Sequence, residues 1–169
     1  SGNTILSLAN IYSNAGAKFE VRMGGNATGN AKLTIDGEGN TTFAGDVGLD
    51  VTPHAQHSNF SALRIGGNGY LTGHTAVATN EHINLSQNAY IDDGGAWTYI
   101  STDEATLYQQ TYGRHHFRIA PSGTAGAAIS PDWVTVLTLD DQSRASFYGD
   151  LRIDNDKKLY FDGGSNTYI

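Results

Sequence analysis

The sequence predicts an all-β protein, and three observations carry the prediction. Runs of the strong helix formers Ala, Leu, Glu and Lys are absent, whereas Gly occurs 21 times in 169 residues, and Asn, Thr, Ser and Asp crowd between short apolar stretches. The apolar stretches alternate with polar side chains at a period of two, the pattern of a half-buried strand. The clearest such stretch occurs twice.

Leu33 to Asp50 reads LTIDGEGNTTFAGDVGLD, and Leu137 to Asp154 reads LTLDDQSRASFYGDLRID. The two align without a gap at an offset of 104, with seven identities: Leu33/Leu137, Thr34/Thr138, Asp36/Asp140, Phe43/Phe147, Gly45/Gly149, Asp46/Asp150 and Asp50/Asp154. Unrelated segments of this composition would share about one identity over that length, so this is an internal repeat. Each copy predicts a short strand, a tight turn and a second strand of roughly 9 residues, about 30 Å long. In the first copy Phe43, Gly45, Val47 and Leu49 fall on one face. In the second, Phe147, Gly149, Leu151 and Ile153 do so. The Asp36-Gly37 pair marks the first turn, and the second copy replaces it with Asp140-Asp141.

A second match has a different offset. DGGAWTYI at 93–100 resembles DGGSNTYI at 162–169, at an offset of 69 and with six of eight residues identical. The 35-residue difference between offsets makes much of 51–87 an expected insertion into a repeated unit. Further strands are expected at Thr4–Leu8, Lys18–Met23, Phe60–Ile65, Tyr70–Thr72, Ala105–Gln110, His116–Ala120 and Trp133–Leu139. Phe117-Arg118-Ile119 echoes Phe19-Glu20-Val21. The order of these pieces is that of a segment from a longer repetitive chain.

Composition narrows the function classes. The formal net charge is −7 with only 10 basic residues and no basic cluster, which argues against nucleic-acid and anionic-membrane partners. No apolar run approaches the roughly 18 residues of a membrane-spanning helix. Cysteine is absent, which removes thiol catalysis, thiolate metal sites and disulfide scaffolds. All six histidines lie between 54 and 116. His54 and His57 sit three apart and His115-His116 are adjacent, but no third ligand stands at a zinc-like spacing. Asp36, Glu38 and Asn40 alternate oxygens as calcium loops do, yet lack the terminal bidentate Glu. Turn chemistry explains them better. Gly66-Gly67-Asn68-Gly69 has no following Gly-Lys-Ser/Thr, and there is no Gly-x-Ser-x-Gly elbow. Asp92-Asp93 and Asp103-Glu104 are paired carboxylates, but nothing marks either pair as catalytic. No catalytic motif, metal site or cofactor is expected, and the chain is read as a non-enzyme.

GGAWTYIS at 94–101, APSGTAGAAIS at 120–130 and LTLDDQSRASFYGDL at 137–151 resemble modules of bacteriophage tail fibres, found upstream of a C-terminal intramolecular chaperone. The chaperone's own catalytic segment has no counterpart here, so self-cleavage is not carried over. The resemblance implies an elongated, intertwined homotrimeric fibre segment located in the virion tail fibre and assembled in the host cytoplasm. Within it, 1–50 and 137–169 are expected as repeat-bearing shaft segments flanking a central β-sandwich-like module at 51–136. Phe43, Val47, Phe147 and Leu151 are then the expected trimer core. The expected function is structural and host-attaching, through multivalent contacts with a bacterial surface glycan or outer-membrane receptor. The alternatives are a spacer without ligand and a polysaccharide depolymerase. Saccharide recognition uses flat aromatic faces beside polar groups, which makes Tyr108, Tyr112, His115 and Trp97 the candidate ligand-binding residues. Tyr108, Gln110 and Tyr112 would share one strand face. Both tryptophans, Trp97 and Trp133, suit a buried core equally well.

Overall fold

The computed structural model describes residues 16–24, 30–76, 81–129, 133–154 and 157. The expected strand at Thr4–Leu8 and the DGGSNTYI copy at 162–169 lie outside the described residues. The described chain is all-β, with no α-helix and hence no helix long and apolar enough to cross a membrane. Its strands are β1 (Lys18–Arg22), β2 (Ala31–Asp36), β3 (Thr41–Phe43), β4 (Val47–Leu49), β5 (Phe60–Ile65), β6 (Gly69–His74), β7 (His82–Gln87), β8 (Ala89–Ile91), β9 (Trp97–Tyr99), β10 (Asp103–Thr111), β11 (Arg114–Gly123), β12 (Val134–Leu139) and β13 (Ala145–Phe147).

They form three sheets. β1-β2-β3 is one, the β8-β9 hairpin is another, and the largest runs β13-β12-β11-β10-β7-β6-β5-β4. Pairing in the large sheet is antiparallel except for β4 with β5, which is parallel. The large sheet takes strands from all three expected segments, so 47–49 and 137–147 share one sheet with the central module. A single sheet covered on one face stands where a sandwich was expected. The stretch read as an insertion, 51–87, supplies β5, β6 and β7 in the body of that sheet.

The repeat is a real structural repeat. β2 pairs β3 with Leu33 opposite Phe43, and β12 pairs β13 with Leu137 opposite Phe147, the same register at an offset of 104. The third strand repeats as well: Phe19 faces Ile35 and Val21 faces Leu33, as His115 faces Leu139 and Phe117 faces Leu137. The Phe-x-Val/Phe-x-Ile echo is thus displaced by two residues, which leaves the side chains on the same face.

One turn closes three of the hairpins. The Asp36 N–H donates to Asn40 O (3.0 Å), Gly39 N–H donates back to Asp36 O (3.1 Å), and Asp36 Oδ1 accepts from Asn40 N–H (2.8 Å). The same three bonds recur between Asp92, Gly95 and Ala96 at 2.9, 3.0 and 2.9 Å, and between Asp140, Ser143 and Arg144 at 3.0, 3.2 and 3.0 Å. This is a three-residue loop ending in a left-handed position. Gly39 (φ 88°), Gly95 (φ 86°) and Ser143 (φ 63°) occupy it. The turn therefore depends on Asp36 and Gly39, not on the Asp36-Gly37 pair. The replacement of Gly37 by Asp141 is harmless, and the costly change is Gly39 to Ser143. Hydrogen bonds from Asn40, Ala96 and Arg144 hold the Asp36, Asp92 and Asp140 carboxyls below the ordinary value of 3.8. The clasps they support are complete above that pH and are lost as pH falls through the lower folded values.

The expected nine-residue second strand does not form. β3 ends at Phe43, and Gly45 adopts φ 148°, a left-handed backbone that breaks the ladder. In the first copy the chain then crosses to the large sheet as β4. In the second, 151–154 is in no ladder. Phe43 and Val47 consequently sit in different sheets.

Two polar anchors hold the covering layer in place. Asn88 is fully buried with φ 58°. Its Nδ2 donates to Ser101 O (3.1 Å) and Glu104 O (2.9 Å), and its Oδ1 accepts from Ser101 N–H (2.8 Å) and Oγ (2.7 Å). The amide is saturated. Arg64, also buried, donates to Thr52 O and Gly67 O, both at 2.7 Å, and pins the loop after β4. The GTAG loop after β11 lies along β9, with Tyr99 N–H donating to Ala127 O (3.0 Å) and Ile129 N–H to Trp97 O (2.7 Å). Gly123 meets the Tyr99 ring so closely that an added Cβ would lie 2.1 Å from Cε2. The two motifs GAWTYI and SGTAGAAI thereby close one small core of Ala89, Tyr99, Ala105, Leu107, Ile129 and Trp133.

Replacing the strained serine should help. Ser143→Gly is expected to raise stability by about 0.5–1 kcal/mol and Gly95→Ala to lower it by about 1 kcal/mol, read by equilibrium denaturation. Asn88→Ala strands several buried groups at once and should cost at least ~3 kcal/mol by the same measurement.

Candidate functional site

Across its middle the large sheet is polar on the covered face and apolar on the bare face, while Ala105, Leu107 and Ala120 farther along β10 and β11 supply the core on the covered side. Across the covered face, cross-strand neighbours run Ala62, Thr72, Asn84, Gln109, His116, Thr138, Ser146. Several are hydrogen-bonded in turn: Asn84 Nδ2 donates to Thr72 Oγ1 (3.1 Å), Gln109 Nε2 to Asn84 Oδ1 (3.0 Å), and His116 Nδ1 bonds Thr138 Oγ1 (3.1 Å). One residue along each strand, the neighbours run Val47, Leu63, Leu71, Leu85, Tyr108, Phe117, Leu137, Phe147. This apolar row crosses all eight strands, about 34 Å at the usual strand spacing. None of its members is buried, and Leu85 (54%) and Phe147 (50%) keep half their surface exposed.

Strand periodicity explains both rows. β7 reads His82-Ile83-Asn84-Leu85-Ser86-Gln87, so Asn84 and Ser86 point to the covered face and Ile83 and Leu85 to the bare one. β7 is absent from the strands expected from sequence, although its alternation is clean, because polar residues fill what proves to be the inner face.

The structure brings two of the four candidate ligand-binding residues together. Tyr108 and His115 lie on the bare face with rings stacked at 5.9 Å and 19°, joined by a Tyr108 Oη–His115 Nδ1 hydrogen bond. Phe117, missed in the sequence, extends them into a platform at 4.9 Å from Tyr108. Its signal was available: Phe117 lies on the same strand face as His115. Tyr112 does not join them. It sits in the two-residue β10–β11 turn with Gly113, at φ 52° and 70°, and is 60% exposed. Tyr108, Gln110 and Tyr112 therefore do not share a strand face. Trp97 stands apart too, packed edge-on against Trp133 (5.5 Å, 89°) beside the buried core.

Of the expected trimer-core residues, Val47 and Phe147 are the two ends of the apolar row. Phe43 ends the equivalent short row Val21, Leu33, Phe43 of the smaller sheet. Leu151 lies past β13 and is exposed. Depressions of about 540 and 160 Å³ follow the large row, the first beside Leu85, Tyr108, Phe117 and Ile119 and the second beside Leu71, Leu85 and Tyr108.

The histidines are dispersed. His54 stacks on Tyr90 (4.2 Å) and meets Tyr70, whereas His57, His74 and His82 surround Phe60. Among the described residues no three His, Asp or Glu side chains are grouped to hold a metal. Tyr70 Oη accepts from the His54 backbone N–H (2.9 Å) and is hydrogen-bonded to His54 Nδ1 (2.8 Å). Burial, and then the Arg64 charge, lower the His54 pKa. Burial first, then Arg118, Arg114 and His115, lower that of His116.

The chain matches no protein-family model, no curated protein and no solved structure. The fold by itself defines an all-β protein of several sheets whose largest sheet leaves an apolar face bare.

The half-buried His54 and His116 set a pH dependence. With folded pKa values below 6.5, the unfolded chain takes up protons first as pH drops. Stability is therefore full above about pH 6.5 and falls below it. Denaturation between pH 7.5 and 5.0 should show that loss, and His54→Gln combined with His116→Gln should flatten it. A wild-type profile flat over this range removes the assignment.

Proposed function

We propose that this chain is a structural and host-attachment segment of a bacteriophage tail fibre, assembled as a homotrimer and carried in the virion. The uncovered apolar row is the observation that carries the reading. A monomer in water gains by turning its apolar side chains inward, whereas the middle of this sheet turns Thr72, Asn84, Gln109 and Thr138 inward and leaves the apolar row outside. Leu49, Ile65, Ile119, Val134 and Leu139 flank the row at roughly half exposure. With Leu71, Leu85, Phe117 and Phe147 they present on the order of 800 Å², the share one partner contributes to a stable interface. Copies of the same chain are the natural cover, because the repeated hairpin offers the same short row again at Val21, Leu33 and Phe43. Attachment is supported by His115 and the Gln110 amide, which pair in register beside the row and outside it, and several weak sites on one fibre add by avidity.

Sedimentation at micromolar concentration tests the assembly. The wild type is expected as a trimer. Leu85→Asp at the centre of the row and Phe147→Asp at its end place a carboxylate in the apolar contact and should give monomers. Variants that remain trimeric, or a monomeric wild type, defeat the reading. Adsorption of the labelled protein to bacterial cells, removed by stripping surface polysaccharide, tests the attachment half.

A further inference from the structure

Beyond the apolar row, the bare face ends in a polar notch of about 340 Å³ where β6, β7 and β10 run side by side. Ile83 and Gln110, directly opposite in register, form one wall, with Glu81 next to them. His74 and His82 complete the lining. The notch is open because β6 carries no side chain at Gly73, where an added Cβ would meet nothing within 4 Å. None of the lining residues belongs to the apolar row, so the notch is not part of the strip that copies would cover. It adjoins the smaller depression that leads to Tyr108 and Leu71, sharing Ile83 and Gln110 with it.

Glu81 gives the notch its chemistry. Its backbone carbonyl accepts from Thr111 Oγ1 (3.1 Å), but its side-chain Oε1 is shut off from solvent with no hydrogen bond. Glu81 lines the notch, and its carboxylate is the acceptor that a donor entering the notch meets. Among the described residues no Lys or Arg lines the notch, and the whole chain carries a net charge of −7. A positively charged donor is therefore the complementary group.

We propose that this notch is a binding subsite for an amino sugar. The ammonium meets Glu81, the ring's apolar C–H face lies on Ile83 and toward Tyr108, and the hydroxyls meet the Gln110 amide. The proposal rests on the attachment reading and names the glycan class it takes.

Calorimetric titration of the assembled protein with D-glucosamine, N-acetyl-D-glucosamine and D-glucose tests it. Glucosamine should bind about tenfold more tightly than the other two, the size of one charge-assisted contact. Glu81→Gln should bring the three within about twofold. Gly73→Leu fills the notch from a strand position of ordinary backbone and should abolish binding without lowering the melting temperature. Equal binding of glucosamine and N-acetylglucosamine, or a glucosamine preference that survives Glu81→Gln, overturns the proposal. If Gly73→Leu fails to fold, the Glu81→Gln titration decides alone. Cell adsorption separates this from the broader reading. Wild-type adsorption that Gly73→Leu retains overturns the notch and leaves attachment standing, whereas a wild type that never adsorbs overturns attachment itself.

Discussion

The constraint on which the rest depends is the alternation of side chains across the eight-stranded sheet. Each strand must send its residues to opposite faces, so one register choice sets both surfaces at once. Here that choice puts Thr72, Asn84, Gln109 and Thr138 under cover and Leu71, Leu85, Phe117 and Leu137 outside. The covered polar residues are tolerated because neighbours in register bond one another, and satisfied buried amides cost little. The apolar row has no such internal remedy. Its remedy would be another apolar surface, which is why the proposed oligomer makes the whole sequence consistent with itself.

The turns explain how so polar a chain reaches a defined register. Asp36, Asp92 and Asp140 each accept a hydrogen bond from the backbone N–H four residues on, and each hairpin is thereby closed with the same bond pattern. The clasp is local and needs no core behind it, so it can be copied along a chain. Past the hairpin the two copies diverge: 47–49 crosses to β5, while 151–154 joins no ladder. The repeat is thus a unit of strand pairing, and its surroundings decide how it is used.

The proposed functions divide along the same bare face. The apolar row is the surface proposed for association, and the flanking row, where Gln110, Ile83 and Gly73 lie side by side, is the one proposed for recognition. The aromatic platform bridges the two, since Phe117 belongs to the row and His115 to the flank. Tyr112, held in a left-handed turn conformation, presents its ring away from both.

Much of this was legible in the sequence. The β class, the repeat and its strand-turn-strand form come from periods of two and from turn residues, which are local properties, whereas the stacking of Tyr108 on His115 was not foreseen. Strand β7 was missed and the nine-residue strand was overdrawn, because alternation does not say which face is covered and a glycine does not announce the φ it will adopt. Sequence alone determined that the chain forms strands and where they turn. Only the tertiary structure decided that Thr72, Asn84, Gln109 and Thr138 lie inward, that Val47 and Phe147 end one continuous row, and that Glu81 lines a notch. Those outcomes depend on pairing between strands far apart in the chain, and no local pattern encodes that pairing.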